Sequence, residues 1–148
     1  MIIIKEKITL KDFKKINRGE DFDISNNVID VICEKGKEEE FEELLKEFYP
    51  DGTTITQLNN FLRFDTGLIY KQLDITVSYK VIIYDIKYDV DSEKVKELDL
   101  PTSFVDVELK KIPYSEDALI LAIKEFIEDK TNFNVNDFKY SIMKEEYE

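Results

Sequence analysis

Any chemistry in this chain would have to come from carboxylates, lysines or a single thiol. There is no histidine among the 148 residues. That removes the commonest acid-base group near neutral pH, Ser-His-Asp and Cys-His catalysis and most zinc chemistry. Cys33 stands alone, with no basic partner identifiable in the sequence, and reads as a small buried hydrophobe. A lone thiol cannot close an intramolecular disulfide and suits a reducing compartment. Gly19, Gly36, Gly52 and Gly67 are isolated, so no phosphate-cradling loop or dinucleotide fingerprint is present.

Two acidic sets remain. Asp85, Asp89, Asp91 and Glu93 lack the fixed oxygen order and central glycine of a calcium-binding loop, and read as a solvated strand end and turn. The run Asp106-Val107-Glu108-Leu109-Lys110 throws acids and a lysine to one side of a strand. It resembles the Glu-x-Lys half-motif of metal-dependent nucleases, in which a divalent ion activates water. Asp91 with Glu108 would be the ligand pair, with Asp89 or Asp99 as other upstream partners. Against this, 33 acidic residues face 21 basic ones, a net charge of −12. Such a chain repels phosphate backbones and anionic membranes, and favours basic protein surfaces.

The pattern along the chain shows which elements would hold these groups. Met1 to Ile8 reads as a strand, and Leu10 to Ile16 as a short helix capped by Thr9. Residues 17–27 read as a loop. Val28 to Cys33 fits either a buried helix turn or a short strand, and the helix, capped by Ser25 or Asn26, is preferred. Lys37 to Tyr49 has helical spacing at Phe41, Leu44, Leu45 and Phe48, with Glu38, Glu39, Glu42, Glu43 and Glu47 on the remaining face. Pro50-Asp51-Gly52 is a turn in which Gly52 takes positive φ. A helix capped by Thr53 or Thr54 follows, with Ile55, Leu58, Phe61 and Leu62 as its apolar positions. A further short helix carries Leu68, Ile69, Tyr70 and Leu73.

After Asp74 the period changes from 3.6 to 2. Val77, Tyr79, Val81 and Ile83 alternate, and Ile86, Tyr88 and Val90 continue one residue out of step. This predicts a bulge or a bend near Tyr84 and Asp85. Val105, Val107 and Leu109 predict a second strand. Ser115 caps a long helix with the stripe Leu119, Ala122, Ile123, Phe126 and Ile127, which Ile120 and Leu121 widen. Phe138, Tyr140 and Ile142 predict a last strand. The expected core joins Val77, Val81, Val105, Val107, Phe138, Tyr140 and Ile142 to Leu119, Ile123 and Phe126. Acidity is spread over both halves, 16 acids against 11 bases in 1–75 and 17 against 10 in 76–148.

Residues 38–73 contain Tyr49, Pro50, Gly52, Thr54, Leu58, Asn59, Asn60 and Phe61, then Phe64-Asp65. This segment resembles small acidic accessory proteins of Firmicutes phages and mobile elements. These carry a glutamate-rich helix, a Tyr-Pro-x-Gly turn and a Thr-x-x-x-Leu-Asn-(Asp or Asn)-aromatic run. Arg63 and Asn60 depart from that pattern. The resemblance implies a setting, that of a mobile-element accessory protein, in which small acidic proteins often bind host proteins and some inhibit defence or DNA-handling machinery. It carries over no catalytic residue.

The expected fold is α+β: a helical N-terminal unit beside a three- to four-stranded β-β-α-β unit. The chain reads as one compact domain, 1–148, with subunits 1–75 and 76–148. The expected function is that of a non-enzymatic acidic protein that binds a basic protein surface, as a nucleic-acid mimic would. It needs no cofactor or metal and makes no direct contact with nucleic acid or membrane. The candidate contacts are Glu38, Glu39, Glu42, Glu43, Tyr84, Asp85, Tyr88, Asp89, Asp91 and Glu93. A small metal-dependent nuclease using Asp91 and Glu108, and an oligomeric structural or regulatory module, stay open as alternatives. Without a signal peptide or an 18-residue apolar stretch, the chain reads as cytoplasmic.

Overall fold

In a computed structural model, residues 10–16 and 23–148 are described; the strand expected at Met1 to Ile8 and the Thr9 cap lie outside them. The described residues form seven helices followed or interrupted by three strands, an α+β architecture. The chain divides into two compact units, Met1–Ile75 and Thr76–Glu148.

The first unit is helical. It contains α1 (Leu10–Ile16), α2 (Asp23–Glu34), α3 (Glu38–Phe48), α4 (Ile55–Phe64) and α5 (Thr66–Gln72). α2 begins at Asp23, within the segment expected to be a loop. Its polar opening, Asp23-Ile24-Ser25-Asn26-Asn27, disguises a helix that tertiary packing imposes. Ser25 is not a cap but a fully buried residue inside the helix. Its hydroxyl is bonded to the Asn59 side chain of α4 and lies 3.1 Å from the Asn59 carbonyl oxygen. Burying this pair together satisfies groups that would otherwise cost a desolvation penalty.

Gly36 then takes φ +64 and ends α2, and the Lys37 N–H reaches back to the Ile32 carbonyl. α3 buries Phe41 and Leu44. The predicted turn follows: the Gly52 N–H donates to the Tyr49 carbonyl at 3.1 Å, and Gly52 has φ +98. Thr54 caps α4 through a capping box with Gln57, both bonds being 3.0 Å. Leu58, Phe61 and Leu62 are buried, whereas Ile55, in the first turn, is on the surface. Buried Thr66 returns its hydroxyl to the Leu62 carbonyl at 2.7 Å, at the break between α4 and α5.

The second unit is a three-stranded antiparallel sheet in the order β2-β1-β3, formed by β1 (Val77–Tyr88), β2 (Phe104–Ile112) and β3 (Val135–Tyr147). Helix α6 (Ser92–Glu97) links β1 to β2, and α7 (Glu116–Thr131) links β2 to β3. β1 lies at the centre and buries Val77, Tyr79, Val81 and Ile83, then Ile86 and Tyr88. The expected bulge is present: Asp85 has φ +50, and pairing with β3 skips between Tyr84 and Lys87. α7 is capped by Ser115 and ends at Asn132 with φ +62. It packs Leu119, Ile123 and Ile127 on this sheet.

Three expectations about this core are corrected. Val105 is 69% exposed, because Asp106 takes φ +56 and shifts the alternation, so that Phe104 and Val107 turn inward instead. Ile142 is 41% exposed, on an edge strand of which Val135 alone is buried. Ile120 and Leu121 do not widen the buried stripe of α7 but lie on its surface.

Candidate functional site

α3 carries the strongest charge asymmetry on a single element. Phe41 and Leu44 face the core, and the helical repeat turns the rest outward. Glu39, Glu40, Glu42, Glu43 and Glu47 are exposed, and Glu38 is half-buried. The one cation on the helix, Lys46, lies 3.5 Å from Glu43. Glu38, Glu39 and Glu40 sit in the first turn, where the helix dipole favours anions. At the other end Phe48 is 49% exposed, its ring 5.1 Å from that of buried Phe61. Its spacing places Phe48 on one stripe with Phe41, Leu44 and Leu45. It completes the apolar stripe but lies on the last turn, where the packing runs out.

The second acidic set is less coherent. Asp85, Asp89, Asp91 and Glu93 are all exposed. Asp85 forms the β1 bulge and lies 3.4 Å from Lys139. Asp91 occupies the N-cap position of α6 and Glu93 its first turn. Tyr84 is at the surface. Tyr88, expected to supply an apolar anchor, is instead 5% exposed, and its hydroxyl donates to the Pro101 carbonyl. It fills the core that its period-2 position assigns it to. Part of the acidity is conformational: Asp74, Asp85, Asp99 and Asp106 all hold positive φ. Aspartate tolerates that region better than most residues, and here it does work that glycine does elsewhere.

The nuclease pair does not assemble. Glu108 lies across from Lys80 on β1, while Asp91 follows Tyr88 at the far end of that strand. The span from Lys80 to Tyr88 is about 25 Å at ~3.3 Å per residue, too far for one ion. Among the described residues, no group of three or more acidic or thiol side chains is placed to hold a metal.

One feature had no sequence signal. A groove of about 500 Å³ on the sheet is lined by Ser78, Lys80, Glu108, Lys110, Lys144 and Glu146, with Lys111 and Glu148 beside them. Pairing brings Glu108, Lys80 and Lys144 abreast across β2, β1 and β3. Lys144 is 2.6 Å from Glu146, which raises the lysine pKa and lowers that of the glutamate. Lys80 is 3.6 Å from Asp106. Two of the ammonium groups are therefore matched locally.

Among the described residues no helix is long and apolar enough to cross a membrane. Comparison of the chain with protein families, curated proteins and solved structures finds no match.

Proposed function

We propose that the chain is a non-enzymatic binding protein whose α3 carboxylate face docks on a basic protein surface. The observation that carries this reading is the row Glu39, Glu40, Glu42, Glu43 and Glu47, exposed along one ordered helix with Lys46 as its single cation. Carboxylates fixed on a helix meet a basic surface with less ordering entropy than a flexible acidic tail. Half-exposed Phe48 at the end of the same helix supplies an apolar contact that charge alone lacks. It replaces Tyr88 in that role. A surface that otherwise holds nucleic acid is the natural counterpart, and occupying it would inhibit the partner. In the setting that residues 38–73 suggest, such a partner belongs to host defence or DNA handling.

The test is association with basic host proteins captured on the immobilised chain. Glu39→Lys with Glu42→Lys should slow association by at least about tenfold at low salt and leave the helical spectrum unchanged. Asp89→Lys with Asp91→Lys should have the smaller effect. Binding that is flat from about 50 to about 500 mM salt, and indifferent to both pairs of reversals, would reject the reading.

A further inference from the structure

β3 is paired with β1 on one side, and among the described residues no strand pairs with its other edge. Every residue of β3 after Val135 is exposed or half-buried. The opposite edge strand, β2, is bent by Asp106 and Lys111, both at positive φ, which blunts it against further pairing. β3 contains no residue at positive φ, and between Asp137 and Tyr147 its one extra residue against β1 is Met143.

The register with β1 fixes the direction of the paired β3 side chains. Lys139 and Ser141 lie beside Tyr84 and Ile82, and Lys144 and Glu146 beside Lys80 and Ser78, on the face away from α7. Tyr140 and Ile142 lie beside Ile83 and Val81, and Glu145 and Tyr147 beside Tyr79 and Val77, on the α7 face. The register shifts between Lys80 and Val81, which leaves Met143 as the extra residue. Phe138 packs against the core on the α7 face. Two large apolar side chains at the middle of the strand are uncovered, Ile142 at 41% and Met143 at 60% exposure. Ile120 of α7 is also uncovered, one turn from Glu116, which adds to burial in raising the Tyr140 pKa.

We propose that β3 pairs antiparallel with β3 of a second copy of this chain, about a two-fold axis between Ile142 and Met143, so that two sheets become one. At this register the faces match on both sides of the shift at Met143. Outward, Lys139 meets Glu146 of the second copy and Ser141 meets its Lys144. On the α7 face Phe138 meets Tyr147 and Tyr140 meets Glu145, and at the axis Ile142 lies opposite the extra residue Met143. By symmetry each pair occurs twice. A slip of one residue sets outward side chains against inward ones. A slip of two sets Lys139 against Lys144 and Asp137 against Glu146, or in the other direction Ile142 against Glu145. Asp137 against Glu148 is the one like-charge pair, and it lies at the two ends.

Sedimentation velocity of the full chain, from low to high micromolar concentration, tests this. The expected result is a reversible rise from 17.5 kDa towards twice that mass. Lys139→Glu and Glu146→Lys should each weaken association at least about tenfold, and the two together should restore it. Asp137→Lys should strengthen it. Circular dichroism would verify that each variant keeps its fold. A chain that stays monomeric at every concentration overturns the proposal. So does a dimer indifferent to these changes, which would be built on another surface, and a double reversal that fails to restore pairing, which would refute the register.

Discussion

Four tyrosines of the second unit share a cause and a consequence. Burial raises the pKa of Tyr79 to about 12, with Glu145 adding to the effect. Burial and then Glu145 also raise Tyr114 and Tyr147, and the Tyr147 hydroxyl donates to Glu145 at 3.0 Å. Tyr140 is raised by burial and then by Glu116. A phenol whose pKa is higher in the folded state holds its proton there after the unfolded chain has lost it. The unfolded state then binds fewer protons, and stability falls as pH rises. The fall should begin near the ordinary tyrosine value of 10 and, for Tyr79, level off near 12. Tyr79 alone should account for about 1–3 kcal/mol of it. Thermal melts across this range check the fall, and Tyr79→Phe should remove part of it. Titration by tyrosinate absorbance should show lower midpoints in Glu145→Gln. The sequence offers the four phenols but no hint that they converge, because Tyr79 and Tyr147 meet only through strand pairing.

At the scale of elements, alternation was legible wherever the pleat ran unbroken and misleading beyond a bulge. The inner row of β1 followed directly from Val77, Tyr79, Val81 and Ile83, and its bulge from the phase change at Ile86. The bulge in β2 left no such mark. Asp106 lies between two valines, and nothing in Phe104-Val105-Asp106-Val107 says that the aspartate takes positive φ. A pair of substitutions separates the two arrangements. Val107→Asp should cost about 3–5 kcal/mol, for a lost buried side chain and an unpaired charge. Val105→Asp should fall within about 0.5 kcal/mol of wild type. Urea midpoints check both, and equal losses would place the two valines on one face. The candidate site was legible in the same uneven way. The acidic face of α3 could be read from spacing alone. The burial of Tyr88 follows from its strand position, although its neighbours Asp89 and Asp91 suggested a surface. The outward turn of Phe48 depends on where packing ends and has no sequence signal.

For the whole molecule, the change of period at Asp74 coincides with the division between Ile75 and Thr76. The core of the second unit is drawn from its own residues, from Val77 to Val135, with further partly buried side chains as far as Tyr147. Residues 76–148 produced alone should therefore give a cooperative thermal transition and a mixed strand and helix spectrum. A non-cooperative melt of that fragment would show that its core is not self-sufficient. Net charge behaves differently from fold at this scale. It divides almost evenly between the halves, so it keeps both units dispersed and singles out neither. The proposed binding face rests instead on the arrangement of charge on α3.

The backbone of Thr76 and that of Glu148 exchange two hydrogen bonds, at 2.9 and 2.8 Å. The second unit thus begins and ends at the same point of its sheet. A segment with neighbouring ends behaves as a cassette: spliced into a surface loop of another protein, it would leave the host's flanking chain almost where it was. Joining its ends by a short linker and opening it at the α6 loop would preserve every strand while changing their order along the chain. The same closure makes its folding a long-range event, since the ladder is complete only when residues from opposite ends of the segment have found each other. The helices of the first unit close their backbone hydrogen bonds within their own turns and depend on distant residues only for packing, such as Ser25 on Asn59.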